Sequence, residues 1–145
     1  MTNNPSLAYR QQTARTASPL GMVVLLYDSM LISLNKAIRA IEARDIELRV
    51  RESNRALAIL DQLQGTLDFE NGGDVAANLN RLYDACRQAI LGASFAQIKE
   101  PLVMIVPELQ LVRDAWWAVD NPVRTPAAPS YSSDPYSAGP GRWSA

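Results

Sequence analysis

The sequence predicts an all-α chain folded as an antiparallel four-helix bundle, and three observations carry that prediction. Four segments repeat apolar residues at alternating steps of four and three, the spacing of left-handed helix packing. The links between segments are short, which forces neighbouring helices to run in opposite directions. No segment shows the two-residue alternation of a half-buried strand.

The first helix opens at Ser18-Pro19, a capping hydroxyl followed by a proline whose missing N–H costs a helix nothing at its first position. Its seam runs Leu20, Val24, Tyr27, Leu31, Leu34, Ile38 and Ile41, and it should end near Arg44. Asp45 is a good cap for the second helix, whose seam is Ile46, Val50, Leu57, Leu60 and Leu67. Asn71-Gly72-Gly73 then marks a turn. A third helix carries Val75, Leu79, Leu82, Cys86 and Ala89 and should stop around Gly92. The fourth stripe is Leu102, Ile105, Leu109, Val112, Trp116 and Val119. Pro107 falls inside it, removing one donor and crowding the carbonyl of Val103, so a kink or a late start near Pro107 is expected.

Composition bounds the chemistry. The chain has 145 residues, 48% of them apolar, with one cysteine, no histidine and a formal net charge of −1. Without histidine there is no Ser-His triad, no His-ligated metal and no Glu-x-x-His di-iron site. One cysteine excludes a disulfide framework and thiolate clusters, and fits a reducing compartment. Near-neutral charge argues against nucleic acid as a partner. Residues 1–17 carry +2, residues 18–120 carry −4 and residues 121–145 carry +1. The predicted organisation is an arm over 1–17, a bundle over 18–120 and a disordered tail over 121–145, where 16 of 25 residues are Pro, Ser, Ala or Gly. The opening stretch lacks the apolar core of a signal peptide, and the longest apolar run, Met22 to Leu26, is far short of a membrane span. The reading is a cytoplasmic protein with no membrane insertion.

Some candidates yield to plainer explanations. Asp68, Glu70, Asn71, Gly72 and Asp74 resemble the start of a calcium loop, but Leu79 stands where such a loop needs its bidentate glutamate, which leaves a turn with helix-start acids. The arginines from Arg44 to Arg55 are interleaved with Glu42, Asp45, Glu47 and Glu52, as on a solvated face. Cys86 reads as a small buried hydrophobe, and of the adjacent Trp116 and Trp117 one should be core and the other at an edge. No acid of the middle segment falls on a seam, so no catalytic group, metal or cofactor is expected.

What remains is an excess of apolar surface. Met22, Leu25 and Ile32, with small Ser29 between them, form a second line on the first helix, and Ile59 and Leu63 widen the apolar face of the second. Either the first helix is central and buries all of this, or part of it forms grooves for a partner's amphipathic helix. A structural bundle that uses the surplus to form a homo-oligomer is the rival reading.

The residues also resemble a known family. Tyr9, then Ala14-Arg15-Thr16-Ala17-Ser18-Pro19-Leu20, then Leu25-Leu26-Tyr27-Asp28, is similar to the opening signature of the FliS family of flagellin-specific export chaperones. The similarity continues through Ala40-Ile41-Glu42, Asp45-Ile46-Glu47, the Leu63 to Asp68 segment, Leu82-Tyr83-Asp84 and Arg113-Asp114-Ala115-Trp116. Gly21 and the proline-rich Phe95 to Pro107 stretch depart from the family pattern. The resemblance implies a monomeric or weakly dimeric chaperone. It would bind the C-terminal segment of flagellin, prevent its premature polymerisation and help deliver it to the export gate. On that reading Met22, Leu25, Ser29, Ile32, Ile59 and Leu63 contact cargo, and Tyr9 and the arm act as a lid. Tyr27 and Tyr83 stand as candidates divided between structural and cargo roles.

Overall fold

Ser18 is extended, and its Oγ accepts the Gly21 amide at 2.8 Å, the cap its position ahead of Pro19 predicts. From there the computed structural model describes residues 18–122 as four helices: α1 (Pro19–Ala43), α2 (Ile46–Gly65), α3 (Phe69–Ala96) and α4 (Glu100–Asp120). The expected arm, with Tyr9, and nearly all of the expected tail lie outside the described residues. Each connection is two or three residues long, and the helices pack as a ring in which α1 touches α2 and α4, and α3 completes the square. No strand occurs among the described residues. The all-α four-helix bundle is therefore observed.

The first two helices follow their expected punctuation. Arg44 ends α1 in the left-handed conformation (φ 57°), and Asp45 caps α2 by accepting the Leu48 amide at 3.1 Å. Ser33, Ala37 and Ala40 of α1, with Ser53 and Ala56 of α2, are small and fully buried, as suits a close helix crossing.

Elsewhere the structure corrects the boundaries. α2 ends at Gly65, and α3 begins at Phe69 under an Asp68 cap whose Oδ1 accepts the Glu70 and Asn71 amides, both at 3.1 Å. The glycine pair does break the helix, but from inside: Gly73 sits at φ 51°, ψ −126° between a leading turn and the long remainder. Gly92 interrupts nothing, and α3 continues to Ala96 before Gln97 turns left-handed (φ 58°). Nor does Pro107 delay α4, which runs unbroken from Glu100. Pro107 and Val103 are both exposed, so the carbonyl that loses its donor can turn to water.

The core is built on Tyr27, Met30, Leu34, Leu60, Leu63, Tyr83, Cys86, Ile90, Leu102 and Leu109, each no more than 2% exposed. Four seam positions are misplaced by a strict heptad: Ile46, Val50, Val75 and Val119 face outward. The first two do so because the buried stripe of α2 runs through Ser53, Ala56, Ile59, Leu60 and Leu63, and Val75 because the buried stripe of α3 runs through Ala76, Tyr83, Cys86 and Ile90. Glu52 is the opposite surprise. Expected on a solvated face, it is 2% exposed, although no second acid or cysteine joins it in a metal-like cluster among the described residues. By length and composition α1 could cross a membrane, yet its apolar residues supply much of the bundle core.

Two ties close α1 onto α4. Ser18 Oγ donates to Asp120 Oδ1 at 2.8 Å, and Arg113 holds Asp28 through Nε at 2.8 Å while its guanidinium lies 5.4 Å from the Trp117 ring centre. Between α2 and α3, Arg87 bridges Asp61, Gln64 and Asp84, and Gln64 donates on to Asn80.

Candidate functional site

Because α1 and α3 sit on opposite corners of the ring, a channel opens between their N-terminal ends. This groove encloses about 470 Å³ and is walled by Pro19, Leu20, Met22, Val23 and Leu26 of α1, by Thr66 and Leu67, and by Val75, Ala76, Leu79 and Tyr83 of α3, with Trp116 closing one side. Nearly every wall is aliphatic or aromatic. Gly72 also lines it, and a side chain there would not fit: an added Cβ would stand 2.9 Å from the Ala76 Cβ. The first turn of α1, with Pro19 and Leu20, stands at the rim of this groove.

The groove's floor is tied down. Tyr83 lines it, and its hydroxyl meets that of Tyr27 at 2.6 Å across the diagonal of the bundle, the rings 6.4 Å apart and tilted by 50°. Burial pushes both phenols above the usual tyrosine range, Tyr27 furthest, and the shared hydrogen bond raises Tyr27 further. The Trp116 indole N–H beside Tyr27 pulls slightly the other way, but it lies outside good hydrogen-bond geometry and is otherwise unpartnered.

A second groove, of about 440 Å³, lies between α1 and α2 and is walled by Leu26, Ser29, Ile32, Ser33, Arg55, Ile59 and Gln62. It mixes apolar and polar lining, and the buried Ser33 hydroxyl on its wall has no partner.

The proposed contact residues divide accordingly. Met22 (47% exposed) lines the first groove, and Ser29 and Ile32 (55% exposed) line the second. Leu25 is half-buried, and Ile59 shows only an edge to the second groove. Leu63 and Tyr27 are completely buried: both belong to the core and offer nothing to a partner in this conformation. Tyr83 is 2% exposed and acts as floor. The line on α1 is thus divided between two grooves rather than forming one. Sequence reading missed the α3 wall, where Val75 was assigned to the core. Its signal was available in Gly72-Gly73, which thins the chain beside a run of apolar residues.

With this geometry in place, comparison with known proteins is decisive. The family model described as "Flagellar protein FliS" matches residues 1–123. The chain belongs to the FliS family. It is 34% identical over 122 residues to the flagellar secretion chaperone FliS of Campylobacter jejuni subsp. jejuni, covering 83% of this chain and 95% of that one. It is 27% identical to the FliS of Salmonella typhimurium, over 73% of this chain and 79% of the relative. It is also 27% identical to the FliS of Bacillus subtilis, over 78% and 84%. The FliS signature residues are seen to be fasteners: Ser18 caps α1, Tyr27 meets Tyr83, and Asp28 takes Arg113.

Proposed function

We propose that this FliS-family chain is a cytoplasmic, non-enzymatic chaperone that binds the C-terminal segment of flagellin, keeps it from polymerising and helps deliver it to the export gate. The observation that carries the reading is the pair of grooves flanking α1, one apolar-walled and one of mixed lining, with Met22 and Ile32 open to solvent on the helix that also supplies the core. An amphipathic helix left without its filament partners exposes an apolar face, and grooves of this shape cover such a face. Coupled folding of a guest on a long interface moderates affinity, which suits a cargo that must be released. In this reading Met22, Leu25, Ser29, Ile32 and Ile59 contact cargo, and the arm with Tyr9 covers the first groove when cargo is absent. The start of α1 at the groove's rim, at Pro19 and Leu20, supports the second idea.

The test is capture of the host's flagellin C-terminal segment by the intact protein, by Ile32→Asp and by a form lacking residues 1–15. Ile32→Asp should abolish capture while the helical circular-dichroism spectrum persists, and deleting the arm should change both affinity and apo stability. Full capture by Ile32→Asp would remove the groove assignment, and a deletion that alters neither quantity would remove the lid.

The rival, a self-associating structural bundle, draws support from Met104, Leu111 and Val119, exposed at seven- and eight-residue spacing on α4. Sedimentation separates the two. A chaperone stays monomeric or weakly dimeric and shifts on adding the flagellin segment, whereas the rival sediments as a stable oligomer and ignores it.

A further inference from the structure

At the opposite end of the bundle from the first groove, the left-handed ends of α1 and α3 meet the first turn of α2 around a cavity of about 340 Å³. Its lining is of two kinds: Arg44, Arg49 and Gln97 are polar, and Ala40, Ile41 and Ala96 form an aliphatic wall. Neither guanidinium is engaged by a carboxylate among the described residues. The Arg49 Nε is buried and lacks any partner. A buried cationic donor with nothing to donate to is costly and rarely tolerated without a purpose.

The neighbouring acids do not supply the missing acceptor. Glu42 is held by Lys99 at 2.6 Å, and Asp45 Oδ1 is occupied in capping α2. Glu52, one turn along α2, lies nearer to Arg51, at 3.7 Å, and keeps one oxygen unpartnered without reaching Arg49 at salt-bridge distance. Glu47 is exposed.

We propose that this cavity binds a carboxylate on a short aliphatic stem, that of a glutamate or aspartate side chain on a partner polypeptide. The guanidinium fork matches a planar carboxylate through two parallel hydrogen bonds, and the wall of Ala40, Ile41 and Ala96 accommodates the methylenes. The surroundings select against phosphate. Two helix C-termini end here beside the N-terminal turn of α2, whose partial charge is opposite; what tells against phosphate is that it has no methylene stem for the wall of Ala40, Ile41 and Ala96 to hold.

The experiment follows the arginine Nε–H and backbone amide resonances of the intact protein by NMR during titration with acetyl-Ala-Glu-Ala-amide, its glutamine counterpart and inorganic phosphate. The glutamate peptide should produce a saturable shift at the Arg49 Nε–H and the Ala96 amide, with the glutamine peptide and phosphate each weaker by about tenfold. Arg44→Gln, at an exposed position that does not threaten folding, should weaken the glutamate peptide severalfold, and Arg49→Gln should abolish its effect. Equal responses to the two peptides, a response unchanged in Arg44→Gln, or phosphate binding most tightly would each overturn the proposal. So would an Arg49 Nε–H that is insensitive to the peptide in the wild type but becomes responsive in Glu52→Gln, since Glu52 would then be its native partner.

Discussion

The Tyr27–Tyr83 pair allows a quantitative test of how the bundle is held across its diagonal. The two hydroxyls satisfy each other at 2.6 Å, with Tyr27 at 0% and Tyr83 at 2% exposure. Removing one member of a buried pair strands the other, at a cost of about 1–3 kcal/mol, whereas removing both leaves two apolar rings of nearly the same shape. The singles should be unequal. Tyr83→Phe strands the Tyr27 hydroxyl deep in the core and should cost about 2 kcal/mol, near the middle of that range. Tyr27→Phe strands the Tyr83 hydroxyl, whose ring lines the groove and needs only a small tilt to bring it to water, so about 1 kcal/mol is expected. The double variant should lose less than the sum by about 1–2 kcal/mol, a coupling energy well above the usual error of additivity. Urea unfolding followed by circular dichroism measures all four corners of the cycle, and each kcal/mol should also appear as roughly 4 °C in Tm. If the double variant lost the sum of the singles, the hydroxyl pair would have no role in joining α1 to α3.

Two further expectations follow from single residues. Gly92→Ala, in mid-helix with nothing within 4 Å of the new methyl, should stabilise by about 0.5–1 kcal/mol, while Gly73→Ala, forced to φ 51°, should destabilise by about 1 kcal/mol or more. Thermal unfolding of the two variants should move in opposite directions, and a shared direction would contradict the described kink. Burial also pushes the Cys86 thiol from 9.0 up to about 11. Its folded-state value is raised, so its contribution is complete below about pH 9 and is lost as pH climbs towards 11, by about 2 kcal/mol. The stability gap between wild type and Cys86→Ala should narrow by that amount across this window, and a constant gap would mean that the thiol ionises as freely in the fold as in the unfolded chain.

Fold class, helix order and two of the four N-termini could be read from the chain because they rest on local chemistry. A hydroxyl before a proline, an aspartate after a left-handed residue and a repeating apolar period each act within a few residues. The reach of α3 and α4 could not be read locally. Gly92 and Pro107 are helix breakers by propensity, and tertiary packing overrides them: Ile90, Ala93, Leu102, Ile105 and Leu109 anchor the turns on either side. The same limit governs the grooves. Periodicity shows that α1 is apolar on two sides, but not that Met22 and Ile32 face different channels, nor that Leu63 and Tyr27 are sealed. Glu52 was misread for a related reason: successive residues stand about 100° apart on a helix, so an interleaved run of charges reaches round to the side that is the interior here.

The square ring also gives the molecule a fixed ruler. α1 presents Leu20 to one cavity and Ile41 to another, and the helix rise sets these about 32 Å apart. Any single visitor touching both poles must therefore be about twenty residues long as a helix, or about ten in extended form. Shorter visitors are confined to one pole, and two of them can be seated at once without meeting.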